Sequence, residues 1–173
     1  SCEHEIVVVD NASSDGTPEF IATRFPDVRV QANRENTGYS RGVNEGIRLT
    51  SGRYVLVLNP DIEVREGSID RLKDFMDSHP GAGIAGSKLV FPDGRVQDSC
   101  RAFYTMRALF LRRTFLGRLF PRARALREHL MTDFDHETAR PVDWIIGACM
   151  MVRRSAIEEV GPKTGTARSG KLL

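Results

Sequence analysis

The sequence predicts an α/β protein with a mostly parallel sheet between flanking helices and a mixed C-terminal part. Two observations support this prediction. Apolar segments of strand length alternate with segments of helical period through residues 5–78, and such alternation specifies parallel βαβ units with right-handed crossovers. Residues 54–57 are also apolar throughout, which is typical of a strand covered on both faces.

The first half of the chain predicts three strands, each followed by a helix. In chain order these elements are a strand at 5–9, a helix at 17–25, a strand at 28–32, a helix ending near residue 50, a strand at 54–58 and a helix at 66–78. Pro18 suits the first turn of the first helix, which Asp15 or Thr17 would cap. Ser51 and Gly52 end the second helix.

The second half predicts that the sheet becomes mixed. Residues 83–91 and 95–99 flank Pro92-Asp93-Gly94, a sequence typical of a tight hairpin. An apolar stretch at 142–152 and a short helix at 155–160 follow the intervening segment.

Composition narrows the class of protein. A chain of 173 residues that is 40% hydrophobic and 28% charged is expected to form one soluble domain that needs no disulfide bonds or structural metals for its stability. The net charge of +2 argues against a nucleic-acid partner. Three cysteines, an odd number without metal-ligand spacing, argue against a disulfide framework and a zinc site. Without a leader or an apolar run of about 18 residues, we expect a cytoplasmic protein.

Positive charge is concentrated in residues 107–127. The segment has seven arginines, no acid, and several leucines and phenylalanines between them. Basic and apolar residues mixed in this way are typical of helices at a membrane surface. An amphipathic helix that covers the core with one face explains the same pattern, and Gly117 and Pro121 interrupt its period.

Polar residues follow the first predicted strand. Asp10, Asn11 and Asp15 stand between that strand and the next helix, where ligands collect at the edge of an open α/β sheet. The loop has no run of glycines and is neither a P-loop nor a dinucleotide fingerprint. Asx turns explain these residues equally well.

Glycines recur along the second predicted helix, at Gly38, Gly42 and Gly46. Glycine inside a helix costs roughly 0.5–1 kcal/mol relative to alanine, so this spacing indicates close approach of a backbone or a ligand. Packing of the helix on the sheet is the alternative. Arg41 lies in the same helix and reaches either a phosphate or only solvent.

Asp61 closes the tetrapeptide Leu58-Asn59-Pro60-Asp61 directly after the third predicted strand. Pro60 ends that strand, because its ring fixes φ and removes a ladder donor. A carboxylate at this edge is placed to bind a ligand. An ordinary strand-ending turn accounts for the same residues.

Six segments taken together resemble the family 2 nucleotide-sugar glycosyltransferases, and their bacterial rhamnosyltransferase-like members in particular. They are residues 7–17, 36–46, 58–61, 86–89, 91–94 and 142–154. Their order and spacing match from about Ile6 to Gly161. We therefore assign residues 1–161 to a partial domain of this family and expect 162–173 to be a disordered tail.

The resemblance implies a GT-A fold, with the donor nucleotide over the N-terminal half of the sheet and the acceptor over the C-terminal half. It implies that Asp10 contacts the nucleotide base or ribose. The donor side as a whole is expected to comprise Asp10, Asn11, Asp15, Asn36 and Arg41.

The resemblance also implies that Asp61 binds a divalent cation bridging the donor diphosphate, with Asn59 replacing the first acid of the usual Asp-x-Asp. Like charges about 4 Å apart repel by about 4 kcal/mol at an effective dielectric near 20, so Asp61 faces a diphosphate only through a cation. Oxygen ligands favour Mg²⁺ or Mn²⁺. Trp144 and Gly147 match the acceptor side, although a single tryptophan is equally explained as core.

Both ends of the chain differ from the family pattern. Family members begin with a strand and helix before the first motif, where only residues 1–5 stand here. After the position of Gly161 they continue to a Glu-Asp pair whose aspartate is the general base. No acid follows Glu159, and none of Asp133, Asp135 and Asp143 matches that base. We expect a chain that lacks the first strand and is truncated at both ends.

The resemblance implies metal-assisted, inverting transfer of a sugar from a nucleoside-diphosphate-sugar to a cell-surface glycan or lipid-linked acceptor. A positioned general base contributes about 10²- to 10⁴-fold to such a reaction. The alternative is therefore an inactive fragment that keeps at most metal-dependent nucleotide binding. A further expected partner is the inner face of a membrane, which residues 107–127 would contact peripherally.

Overall fold

The computed structural model describes residues 2–114 and 123–161. The chain divides into two compact units. The first comprises Ser1–Ala85 and Met151–Leu173, and the second comprises Gly86–Met150. The predicted tail at 162–173 and the middle of the arginine-rich segment, residues 115–122, lie outside the described residues.

The first unit begins with a βαβ motif followed by a second helix. Strand β1 (Val7–Asp10) is followed by helix α1 (Thr17–Arg24), strand β2 (Arg29–Ala32) and helix α2 (Tyr39–Leu49). The two strands pair in parallel, from Val7 opposite Arg29 to Asp10 opposite Ala32. The predicted parallel pairing is confirmed, and each predicted element is found within about two residues of its expected bounds.

A second sheet contains strands β3 (Tyr54–Leu58), β4 (Ile84–Gly86) and β9 (Cys149–Arg153), with β9 in the middle. Arg154 N, next to the end of β9, donates to Arg53 O at the start of β3, and Arg153 N donates to Gly83 O. Strand β9 therefore runs antiparallel to both neighbours, which confirms the predicted mixed part. In the described residues, β1–β2 and β3–β9–β4 are separate hydrogen-bonded sheets, whereas we expected a single one.

Helix α3 (Ser68–Ser78) contributes two buried residues to the apolar core of the first unit. Leu72 and Met76 are buried against Ala85 and Met151. The Arg153 guanidinium closes the C-terminal end of this helix. Its four hydrogen bonds, at 2.7–3.1 Å, go to Met76 O, His79 O, Ala82 O and the Tyr54 hydroxyl. These carbonyls have no partner within the helix, so the arginine stabilises its end. Helix α6 (Arg154–Val160) follows β9.

The second unit holds two antiparallel strand pairs. Strands β5 (Leu89–Val90) and β6 (Val96–Gln97) form the predicted hairpin, shorter than expected. Strand β7 (Cys100–Arg101) pairs with β8 (Trp144–Ile145). The predicted apolar stretch at 142–152 is therefore two strands, β8 and β9, because the chain turns at Gly147 and Ala148.

Two described helices of the second unit come from the arginine-rich part of the sequence. They are α4 (Met106–Arg113) and α5 (Arg124–Leu130). The Thr105 hydroxyl caps α4 by accepting from Ala108 N at 3.1 Å. Among the described helices, none has the length and apolar character that a membrane span requires.

Candidate functional site

Asp10 is the last residue of β1, and its side chain is buried. Its Oδ2 accepts from Ser13 N at 3.0 Å, and its carbonyl accepts from Asn33 N at 2.9 Å. Ala12, between them, has a left-handed φ of 64°. The hydrogen bond to the N–H three residues on fixes a carboxylate at the end of a parallel strand, whereas the Asx turn that the sequence allowed in this loop forms at Asp15, which accepts from Thr17 N.

The Asn11 side chain joins the first loop to the second. Its Oδ1 accepts from Asn33 Nδ2 at 3.1 Å and from the Thr37 hydroxyl at 3.2 Å, and its Nδ2 donates to Gly38 O at 3.5 Å. Asn33 Nδ2 also donates to Glu45 Oε2 at 2.9 Å. Asn11 therefore positions the loop through its amide, and its contact with a donor stays a prediction.

Asn36, Arg41 and Asp15 hold different positions around this network. Asn36 Oδ1 accepts from Gly38 N at 2.9 Å, and Gly38 has a φ of 81° that favours glycine. Arg41 is exposed near the start of α2. Asp15 Oδ1 accepts from the Thr17 hydroxyl at 2.6 Å and from Thr17 N at 3.0 Å, and these bonds lower the pKa of Asp15. Asp15 thus shapes the turn before α1.

Two of the recurring glycines lie where α2 packs on β1. A Cβ at Gly42 would stand 3.3 Å from Asn11 Nδ2, and one at Gly46 would stand 3.5 Å from Val9 Cγ2. The sequence left open whether a backbone, a ligand or the sheet approaches here. Side chains of β1 and its loop make this approach. Packing of α2 on β1 accounts for Gly42, whereas a Cβ at Gly46 would make only an ordinary contact.

Three residues of the network, Asn33, Thr37 and Glu45, were not predicted as site residues. Their roles depend on hydrogen bonds between β2, the second loop and α2. The available signal in the sequence was the density of polar residues at 33–37, directly after a strand end.

Asp61 and Asn59 follow β3 in a turn that Ile62 N closes by donating to Asn59 O at 3.2 Å. Asn59 is half-buried, whereas Asp61 is exposed. Within residues 2–114 and 123–161, the Asp61 carboxylate makes no hydrogen bond or ion pair. It is therefore available to a ligand at the carboxyl end of β3.

The oxygen donors of this turn suit a cation that also binds phosphate. In the described part of the chain, no three His, Cys, Asp or Glu side chains come together as a metal-binding group. A complete protein cage is thus not formed by these residues. Mg²⁺ is commonly held by one or two carboxylates together with substrate phosphates, and Asp61 with Asn59 fits that arrangement.

The predicted acceptor-side residues lie in the second unit. Trp144 pairs with Arg101 between β8 and β7 and is 38% exposed, so its ring is not enclosed in a core. Its ring centroid lies 6.4 Å from that of the buried His129, which stacks on Tyr104 at 3.9 Å. Gly147 lies in the turn before β9.

Three acids near the C-terminal part of the sequence hold local structure. Asp143 Oδ2 accepts from Phe103 N at 2.7 Å. Asp133 forms an ion pair with Arg127 at 3.4 Å, and Asp135 Oδ1 accepts from Glu137 N at 3.0 Å. Each of these carboxylates thus has a hydrogen-bonding or ionic partner, and the assignment of the general base stays untested.

Comparison with known proteins gives relatives across most of the chain. An N-acetylglucosaminyl-diphospho-decaprenol L-rhamnosyltransferase of Mycobacterium tuberculosis is 34% identical over 170 residues, which cover 90% of this chain and 54% of that protein. The low-salt glycan biosynthesis hexosyltransferase Agl10 of Haloferax volcanii is 30% identical over 163 residues, covering 91% and 47%. The chain therefore spans about half the length of these relatives.

Solved structures show the fold. The mannosyltransferase PcManGT of Pyrobaculum calidifontis, in complex with GDP-Man and Mn²⁺, superposes with a TM-score of 0.56 at 21% identity, covering 91% of this chain and 37% of that one. TarS 1–349 of S. aureus gives 0.53 at 16% identity, covering 90% and 39%. The chain has the GT-A fold expected from its sequence. The family model for glycosyl transferase family 2 matches residues 1–161, and the chain belongs to that family.

Proposed function

We propose that this chain is the donor-binding core of a glycosyltransferase that moves a sugar from a nucleoside-diphosphate-sugar to a lipid-linked or cell-surface glycan acceptor. The observation that supports it best is the placement of two carboxylates in one unit of a family 2 chain: Asp10 at the end of β1, and Asp61 in the turn that follows β3. The rhamnosyltransferase relative is named for a diphospho-decaprenol acceptor, which favours a lipid-linked acceptor here too.

Asp10 is proposed to bind the nucleoside part of the donor. A carboxylate accepts hydrogen bonds from ribose hydroxyls and from base N–H groups. The Ser13 N–H holds one of its oxygens in place, and the amide of Asn11 fixes the loop against α2. A fixed acceptor loses less conformational freedom when the donor binds.

Asp61 and Asn59 are proposed to hold Mg²⁺ or Mn²⁺ against the donor diphosphate. A bound divalent cation neutralises phosphate charge and stabilises the leaving nucleoside diphosphate. The exposed Asp61 carboxylate provides the anionic ligand, and the Asn59 side-chain oxygen adds a neutral one. Arg41, exposed near the start of α2, is proposed to attract the same phosphates.

Trp144 and Gly147 are proposed to face the acceptor. A half-exposed indole offers an apolar face on which a sugar ring stacks. The protein is proposed to act at the cytoplasmic face of the membrane that carries a lipid-linked acceptor, with residues 107–127 in contact with that membrane.

Inverting transfer needs a base to take the proton of the acceptor hydroxyl as that oxygen displaces the nucleoside diphosphate from the anomeric carbon. Asp133, Asp135 and Asp143 each hold local structure, which disfavours them as this base. Nucleotide binding without transfer is therefore the second candidate function of this chain. A missing base lowers the rate about 10²- to 10⁴-fold without removing the donor site.

Release of nucleoside diphosphate tests the proposal. The chain is incubated with nucleotide-sugars, Mn²⁺ or Mg²⁺, and prenyl-diphosphate-linked sugar acceptors, beside Asp61→Ala and the matched exposed-turn variant Asp27→Ala. We expect acceptor-dependent release by the wild type and Asp27→Ala only. If the wild type releases no more nucleoside diphosphate than Asp61→Ala does, the chain does not transfer sugar. If the wild type still binds nucleotide in that case, the second candidate function, nucleotide binding without transfer, is supported.

A further inference from the structure

Exposed apolar side chains cluster at the start of α4 in the second unit. Phe103 is 66% exposed, Met106 81% and Phe110 58%. Met106 and Phe110 stand four residues apart and so share one face of the helix. Together with Leu111 and Ala125 they line an open groove of about 650 Å³. Contiguous exposed apolar surface of this kind marks an interaction site.

Helix α4 itself carries charge of one sign, although the Asp143 carboxylate accepts from the backbone N–H of Phe103, just before the helix. Helix α4 contains three arginines and no acid, and the exposed Arg113 follows Phe110 by three residues, on the same side. On α5, by contrast, Arg124 and Arg127 form ion pairs with Glu128 and Asp133. Among the arginine side chains of these two helices that the structure describes, Arg113 is the one without an ion pair to a described residue, and it lies on the helix that exposes Met106 and Phe110.

We propose that the α4 face formed by Met106, Phe110 and Arg113, together with Phe103 just before the helix, docks on the surface of an anionic lipid bilayer. An interfacial helix places aromatic and aliphatic side chains at the boundary between headgroups and acyl chains, and its arginines bind the acidic headgroups. The apolar cluster starts ahead of the arginine-rich residues 107–127, so the contact includes Phe103 and Met106. The docking surface depends on the proposed function in one respect, which is that the surface gives the chain access to a lipid-linked acceptor.

Co-sedimentation with vesicles tests the docking surface. The chain is mixed with phosphatidylcholine vesicles containing about one third phosphatidylglycerol, and with pure phosphatidylcholine vesicles, at low and high salt. We expect binding to the anionic vesicles that weakens with salt. Phe110→Ser should bind about tenfold more weakly, and Arg113→Gln about fivefold more weakly.

Phe20→Ser is the matched control, because Phe20 is 63% exposed on α1 in the first unit; it should bind vesicles as the wild type does. Far-ultraviolet circular dichroism and nucleotide binding check that the variants fold. Equal binding by Phe110→Ser and the wild type, equal binding to neutral vesicles, or no binding overturns the proposal. So does concentration-dependent self-association that Phe110→Ser abolishes, since a second copy then covers the face.

The outcome is independent of the transfer assay. Vesicle binding by a chain that neither binds nor turns over nucleotide-sugars supports the docking surface and contradicts the proposed function. Transfer to a soluble acceptor without vesicle binding supports sugar transfer, and it overturns the docking surface together with the proposed membrane contact of residues 107–127.

Discussion

Gly42 and Gly46 lie one turn apart on the face of α2 that packs against β1, and alanine at the two positions should have opposite effects. In a helix interior, alanine is favoured over glycine by roughly 0.5–1 kcal/mol. At Gly46 the new Cβ would lie 3.5 Å from Val9 Cγ2, an ordinary contact. At Gly42 it would lie 3.3 Å from Asn11 Nδ2, so the amide must move.

The hydrogen bonds of Asn11 resist that movement. Its amide is held by Asn33, Thr37 and Gly38 at 3.1–3.5 Å, and a shift of a few tenths of an ångström weakens bonds worth about 1 kcal/mol each. We expect Gly46→Ala to raise the free energy of unfolding by about 0.5 kcal/mol. Gly42→Ala should instead lower it by about 1 kcal/mol.

The same displacement should disturb the donor loop. We expect Gly42→Ala to bind UDP or dTDP with Mn²⁺ about fivefold more weakly, the equivalent of one neutral hydrogen bond, and Gly46→Ala to bind as the wild type does. Urea denaturation and titration calorimetry measure the two quantities. A gain in stability at both positions, or unchanged affinity in Gly42→Ala, would refute the role of Asn11 as the residue that positions the loop.

Three further substitutions test other parts of the structure. Asn33→Ala should lower the free energy of unfolding by about 1–2 kcal/mol, because Glu45 loses a donor; an unchanged urea midpoint contradicts this. Arg153→Met should lower the free energy of unfolding by about 3 kcal/mol because Met76 O and Ala82 O lose their donor, and a thermal melt within one degree of the wild type would disprove the cap. Hydrogen bonds from the Ser51 N–H and hydroxyl lower the pKa of Glu5 in the folded protein. The ionised carboxylate therefore contributes its full stabilisation at pH values above the pKa that Glu5 has in the unfolded chain. This contribution is lost as the pH falls through the lower pKa of the folded state. The melting difference between Glu5→Gln and the wild type should therefore shrink in acid, and a difference independent of pH argues against the bond.

The strand that carries Asp61 was predictable because its sequence pattern is local. Residues 54–58 are apolar and stand between Gly52 and Pro60, and the strand has the predicted bounds. The hairpin around Gly94 was predictable for the same reason, since turn residues specify it. Its strands are shorter than predicted because the hydrophobic pattern does not show where pairing stops.

The network around Asn11 was not predictable, because it depends on contacts across the fold. Asn33 and Glu45 look like ordinary surface residues in the sequence, and they become neighbours only when β2 and α2 pack on β1. The role of Arg153 likewise needs α3 and β4 beside the end of β9. Sequence reasoning found the arginine-rich segment, whereas the exposure of Phe103 and Met106 is visible only in the structure.

The central claim is that Asp61 holds a divalent cation against a nucleoside diphosphate. Titration calorimetry of UDP and dTDP, with Mn²⁺ or with EDTA, tests it on the wild type, Asp61→Asn and the matched variant Asp27→Asn. We predict binding that requires Mn²⁺, is retained in Asp27→Asn and falls at least about tenfold in Asp61→Asn, as expected for a lost charged ligand. Equal affinity in Asp61→Asn, or binding unaffected by EDTA, would contradict the claim.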